Sequence, residues 1–162
     1  MKKTLMILSV LTACGCLLFD STVSAQPKPN FSGSWKLNVE KSDHRDGAPV
    51  ELFLQKIEHQ EPNIHITFLV EGTVTGEFSF TTDGKETANK AAANEEIESG
   101  IDTGAWDGNT LVRTLKAKLK TGLSLTERDR MSLSDDGKTL ILLRHYSTPL
   151  SEGEIKFVFD KQ

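Results

Sequence analysis

Residues 127–146 read ERDRMSLSDDGKTLILLRHY, two runs of mixed apolar and charged residues on either side of Asp136-Gly137. Asp-Gly suits a two-residue hairpin loop, because both central positions need positive φ, which glycine takes freely and aspartate tolerates. Folding the stretch about that dipeptide sets Leu133 opposite Leu140, Met131 opposite Leu142, Asp129 opposite Arg144 and Glu127 opposite Tyr146. A slip of one residue sets Arg128 opposite Arg144 and Asp129 opposite Leu143. Like charges across a ladder repel, whereas good cross-strand pairs contribute about 0.2–1 kcal/mol each, so the first register is predicted. It places Asp129 and Arg144 on the face of Met131, Leu133, Leu140 and Leu142, the face expected to point inward. Charges persist there when paired, so a structural ion pair is the expectation and an anchor for a polar ligand is the alternative. A β-bulge in this strand turns Arg128 and Arg130 inward instead.

Working outward, short apolar-rich runs alternate with Gly, Asp and Pro at the spacing of an all-β domain. Nine strands are predicted: Phe31–Asn38, Val50–His59, Ile64–Val70, Glu77–Thr82, Ile97–Trp106, Leu111–Ala117, Leu123–Leu133, Thr139–Tyr146 and Glu154–Asp160. Two further Asp-Gly turns, at Asp83-Gly84 and Asp107-Gly108, give sequential hairpins and an antiparallel meander. The stretch Glu86–Glu96, ETANKAAANEE, lacks an apolar stripe and is read as a loop with at most one helical turn.

The chain has 162 residues and a formal net charge of −4, with 19 Lys+Arg dispersed among 23 Asp+Glu. That is one domain's length, residues 26–162 after an N-terminal signal, and the dispersed lysines argue against a nucleic-acid surface. Residues 1–25 run from basic Met1-Lys2-Lys3 through an apolar core to Val23-Ser24-Ala25, the form of a cleavable export signal. A periplasmic or extracellular protein is expected. Leu11-Thr12-Ala13-Cys14 also resembles a lipobox, which offers a lipid anchor at Cys14, but the continued apolar run to Phe19 favours cleavage after Ala25. The apolar run is too short to span a bilayer, and both cysteines, Cys14 and Cys16, fall within the signal.

Near the start of the remaining chain stands NFSGSWKLN, residues 30–38. Gly33-Ser34-Trp35, early in the first strand of an exported all-β chain, resembles the G-x-W signature of the lipocalins and the wider calycin group. The resemblance is to lipocalin-like bacterial proteins, since a TDY-like motif, a disulfide and a C-terminal helix are not found. It implies an up-and-down β-barrel of 8–10 strands, with Trp35 closing one end and an arginine from late in the chain, Arg144, packed against the indole.

Little chemistry is nominated by the residues. His59 and His65 flank the turn at Gln60-Glu61-Pro62-Asn63. A three-residue loop sets them opposite one another; a four-residue loop pairs Glu58 with His65. Zinc needs three or four converging ligands and spacing names no third, so surface histidines are expected and no metal or cofactor. No G-x-S-x-G elbow, mature cysteine or phosphate-binding glycine loop is present, and an enzyme is not expected. Small barrels are filled by side chains or hold one small ligand. The candidate ligand-binding residues are Phe68, Phe78, Phe80, Trp106, Asp129, Arg144 and Tyr146, serving a small, mainly apolar molecule whose buried surface would contribute about 25 cal/mol per Å². The rival reading is a side-chain-filled barrel that acts as an interaction module in the cell envelope. The two part on whether the interior holds a cavity of about 300 Å³ or more.

Overall fold

A computed structural model describes residues 27–43, 53–90 and 97–162. The signal, Cys14 and the first residues of the second predicted strand, 50–52, lie outside the described residues. Ten strands follow in chain order: β1 Gly33–Leu37, β2 Phe53–Gln60, β3 Asn63–Val70, β4 Thr73–Thr81, β5 Thr87–Lys90, β6 Ile97–Asp107, β7 Thr110–Leu119, β8 Ser124–Leu133, β9 Thr139–Ser147 and β10 Glu152–Lys161. One 3-10 turn, Val39–Lys41, follows β1 and is capped by the Asn38 side chain.

All pairings are antiparallel, in the order β4-β3-β2-β1-β10-β9-β8-β7-β6-β5. Each strand neighbours its successor except where β1 meets β10 and where the sheet's two ends, β4 and β5, come round towards each other. The result is a nearly closed barrel. Its seam lies between β4 and β6, bridged at Asp83–Ala105 and by a hydrogen bond from Gly84 N–H to the Gly104 carbonyl at 2.8 Å. Gly104 makes that approach possible. A Cβ there would lie 2.6 Å from the Phe80 ring of β4 and 2.6 Å from the Thr81 carbonyl.

The tenth strand, β5, falls inside the stretch read as a loop. It is a four-residue edge strand, too short and too polar to show alternation. Consequently Asp83-Gly84 is not a hairpin loop: β4 and β5 stand at opposite ends of the hydrogen-bonded order. The predicted turn geometry is also corrected. Gly84, Gly108 and Gly137 have positive φ, but the aspartates before them do not. At β6–β7 the two loop residues are Gly108 and Asn109, with glycine first, the pattern of a type II′ turn. At β8–β9 the Gly137 N–H returns to the Ser134 carbonyl at 2.8 Å, closing a four-residue turn. Despite this the register is the predicted one, with Leu133, Met131, Asp129 and Glu127 opposite Leu140, Leu142, Arg144 and Tyr146.

The core is built from inward positions at a period of two. On β7, Leu111, Arg113, Leu115 and Ala117 are all buried. Trp35, Phe31, Phe80, Leu111, Met131 and Leu140 are essentially inaccessible to water. Phe31 lies in a strap before β1 that crosses one end of the barrel, because its ring stacks on His59 of β2 and on Trp106 of β6 at 5.9 Å each. Lys28 Nζ ties the same strap to the Gly108 carbonyl at 2.8 Å. Beneath the strap Trp35 donates its indole N–H to the Phe31 carbonyl at 2.9 Å. This end is plugged.

Candidate functional site

Deeper in the barrel charged side chains join the aromatic and aliphatic ones on the inward face. Rings from β10, β2, β3 and β4 form a ladder: Phe159 to Phe53 at 6.1 Å, Phe53 to Phe68 at 5.5 Å, Phe68 to Phe78 at 5.6 Å and Phe78 to Phe80 at 6.1 Å. Facing it, Arg113 of β7 lays its guanidinium over Phe78 at 4.1 Å, a desolvated cation–π contact.

Two guanidiniums and three carboxylates meet there. Arg144 donates from Nε and Nη2 to the two oxygens of Asp129, at 2.7 and 2.8 Å. Arg113 Nη1 donates to Asp129 Oδ2 at 2.9 Å, so a single carboxylate serves both arginines. Arg113 Nε lies 2.6 Å from Asp102 Oδ1 of β6, though its N–H is poorly aligned, which makes this contact chiefly Coulombic. Glu127 stands further along β8, 3.4 Å from Arg144 and 3.9 Å from Arg113. Burial alone would raise the Asp129 carboxyl, but the charge and hydrogen bonds of Arg144, with those of Arg113, outweigh it and hold the group below its ordinary range. For Glu127 burial wins: its pKa is raised, with Asp129 adding repulsion against the pull of Arg144.

Between the ladder and the charges is a cavity of about 80 Å³. Its walls are the rings of Phe53, Phe68, Phe78, Phe157 and Phe159 with Ile66, Met131 and Leu142; its polar lining is Gln55, Arg113, Asp129 and Arg144. Gln55 on β2 is 2% exposed, and its Nε2 has no hydrogen-bond partner among the described residues.

Of the seven residues expected to bind ligand, Phe68, Phe78, Asp129 and Arg144 line this cavity. Phe80 does not: it is spent on the seam against Gly104. Trp106 belongs to the plugged end, stacked on Phe31, and Tyr146, opposite Glu127, is also outside the lining. Sequence reasoning missed Gln55 and Arg113, although alternation marks both, Gln55 between Phe53 and Ile57 and Arg113 between Leu111 and Leu115. Asp102 was harder to find, because its inward neighbours on β6 are Gly100 and Gly104 rather than apolar side chains.

Two further expectations are corrected at the plugged end. The residue over the Trp35 ring is Lys161, at 5.1 Å, not Arg144, which is committed to Asp129. Gly33 has a φ of +141°, a conformation that side-chain-bearing residues rarely adopt, which is the physical reason for glycine two residues before the tryptophan. His59 is buried rather than on the surface. Its Nδ1 accepts from Phe31 N–H at 3.1 Å, which fixes Nε2–H as the donor to Glu61 at 3.0 Å. Glu61 also accepts from Trp106 Nε1 at 2.9 Å and from Thr82 Oγ1. His65 pairs with Glu58 across β2–β3, the register of the second alternative, though pairing continues to Gln60–Asn63 and leaves only Glu61 and Pro62 in the loop; His65 also hydrogen-bonds Ser79 at 2.9 Å. No group of three or more metal-ligating side chains is present among the described residues.

No protein-family model matches the chain, and no curated protein sequence matches it. Among solved structures, the apo form of Caenorhabditis elegans lipid binding protein 8 is similar, with 14% identity over 82% of this chain and 95% of that one and a TM-score of 0.54. At that identity the likeness concerns the fold: this chain is an all-β, nearly closed antiparallel barrel of the lipocalin-like type.

Proposed function

We propose that the protein binds a small, mainly apolar molecule inside the barrel, without catalysis, as an exported periplasmic or extracellular protein. The observation that carries this reading is the cavity beside the phenylalanine ladder, apolar on most sides and furnished with a few convergent polar groups, the usual make-up of a ligand site. Similarity to a lipid binding protein supports a barrel used for binding, and residues 1–25, read as a bacterial export signal, support the location. The G-x-W stretch supports kinship with lipocalin-like proteins. At about 80 Å³ the space admits a molecule of only a few heavy atoms unless the barrel opens, since ordinary ligand pockets start near 300 Å³.

That same volume favours the second reading, a filled barrel acting as an interaction module through β4 and β5, the ends of the hydrogen-bonded order among the described residues. Native mass spectrometry of protein purified from its own host separates them. A copurified small molecule that is lost on unfolding is expected for the carrier. A bare-chain mass, together with a stoichiometric protein partner, contradicts it.

A further inference from the structure

Resting on the reading of the cavity as a binding site, the geometry points to the class of molecule it takes: a small neutral compound with an apolar body and a hydrogen-bond-accepting head, seated on Gln55 Nε2, with carboxylates excluded. Two independent features carry this. The first is the Gln55 amide, 2% exposed, on the cavity wall, with an Nε2 donor that no described residue satisfies. A buried donor left without an acceptor costs about 1–3 kcal/mol, so a guest bringing a carbonyl, ether or hydroxyl oxygen to it recovers energy that a hydrocarbon does not.

The second feature is the state of the arginines. A barrel lined by two guanidiniums suggests an anion, but here the cations are already answered. Asp129 occupies Nε and Nη2 of Arg144 and Nη1 of Arg113, and Asp102 lies against Arg113 Nε. Counting Glu127, three carboxylates surround two guanidiniums, so a carboxylate guest would enter a site with no net positive charge and pay full desolvation. Phe78 covers a face of Arg113, and Arg144 stands 6.0 Å from the Phe157 ring, which further limits approach of an anionic head.

The test is a titration of isotopically labelled protein with butan-2-one, butanoate and butane, followed by NMR on the Gln55 side-chain amide and on the methyls of Ile66, Met131 and Leu142. Butan-2-one is expected to shift all of these signals and to bind at least about tenfold more tightly than butanoate. Gln55→Met, which keeps length and apolar bulk, is expected to reduce ketone binding to the level of butane while the cavity methyls still respond to both. Preferential binding of butanoate, or ketone binding unchanged in Gln55→Met, overturns the assignment of ligand class and leaves the carrier reading standing. If none of the three probes moves the cavity methyls, both the assignment and the carrier reading fall.

Discussion

Asp129 holds two arginines from opposite neighbours: Arg144 of β9 by both oxygens, at 2.7 and 2.8 Å, and Arg113 of β7 at 2.9 Å. Its removal takes the shared, best-aligned partner from two guanidiniums, the buried Arg113 and the half-buried Arg144. Asp129→Ala is therefore expected to destabilise the fold by about 3–5 kcal/mol, the range for breaking a buried pair from one side. Urea unfolding measures this, and a loss below about 1 kcal/mol would mean that the network is far better hydrated than its burial indicates.

Glu127 acts in the opposite sense. Burial raises its folded pKa above the ordinary value of 4.5, so its contribution to stability is greatest below that pH and is lost as pH rises through the folded value. Glu127→Gln keeps the shape and removes the titration. The variant is expected to be more stable than the parent at pH 7 and to lose that advantage near pH 4. Unfolding curves at the two pH values check the sign, and a variant less stable at pH 7 would show that the Arg144 contact outweighs burial.

Glu61 gathers the plugged end, accepting from His59, Trp106 and Thr82. Burial pushes its pKa up, but the three hydrogen bonds, with Thr82 foremost, together hold it below 4.5. Its contribution is thus present above about that pH and lost as pH falls through the folded value. Glu61→Ala, which leaves the His59 donor unpaired beneath the strap, is expected to cost about 1–3 kcal/mol at neutral pH and to red-shift tryptophan emission. Convergence of mutant and parent stabilities in acid is the expected signature; a penalty independent of pH contradicts it.

The seam depends on Gly104. In Gly104→Ala the added methyl meets the Phe80 ring and the Thr81 carbonyl at 2.6 Å, so β4 and β6 must part. A loss of about 1–3 kcal/mol is expected, with faster amide exchange at Gly84. Combining it with Phe80→Leu is expected to recover part of the loss, because the ring is one of the two obstacles. No recovery would place the whole conflict on the backbone.

Much of this architecture was legible in residues 127–146, where charge and apolar matching fixed the register even though the turn closed differently from the Asp-Gly expectation. Pairing arithmetic is insensitive to turn type so long as the loop is symmetric about the same point. The Asp129–Arg144 pair was legible for the same reason. Arg113 and Asp102 were not, although sequential hairpins join β6, β7 and β8: Arg113 stands as a lone charge in an otherwise apolar phase, and Asp102 lies between Gly100 and Gly104, which carry no side chain to mark the inward face. His59 was misread because the lack of a third metal ligand was taken to put it on the surface, although it shares the phase of Ile57 and Gln55, which is the phase that decides burial. β5 left no pattern, since Thr87–Lys90 is four residues long and mostly polar.

The most direct test is diffraction from crystals of the protein under xenon pressure, since xenon enters enclosed apolar space without needing polar contacts. Ordered xenon is expected between Phe68, Phe78 and Leu142, beside the Gln55 amide. Xenon found only on the outer surface, with the interior closed by its own side chains, would contradict this expectation.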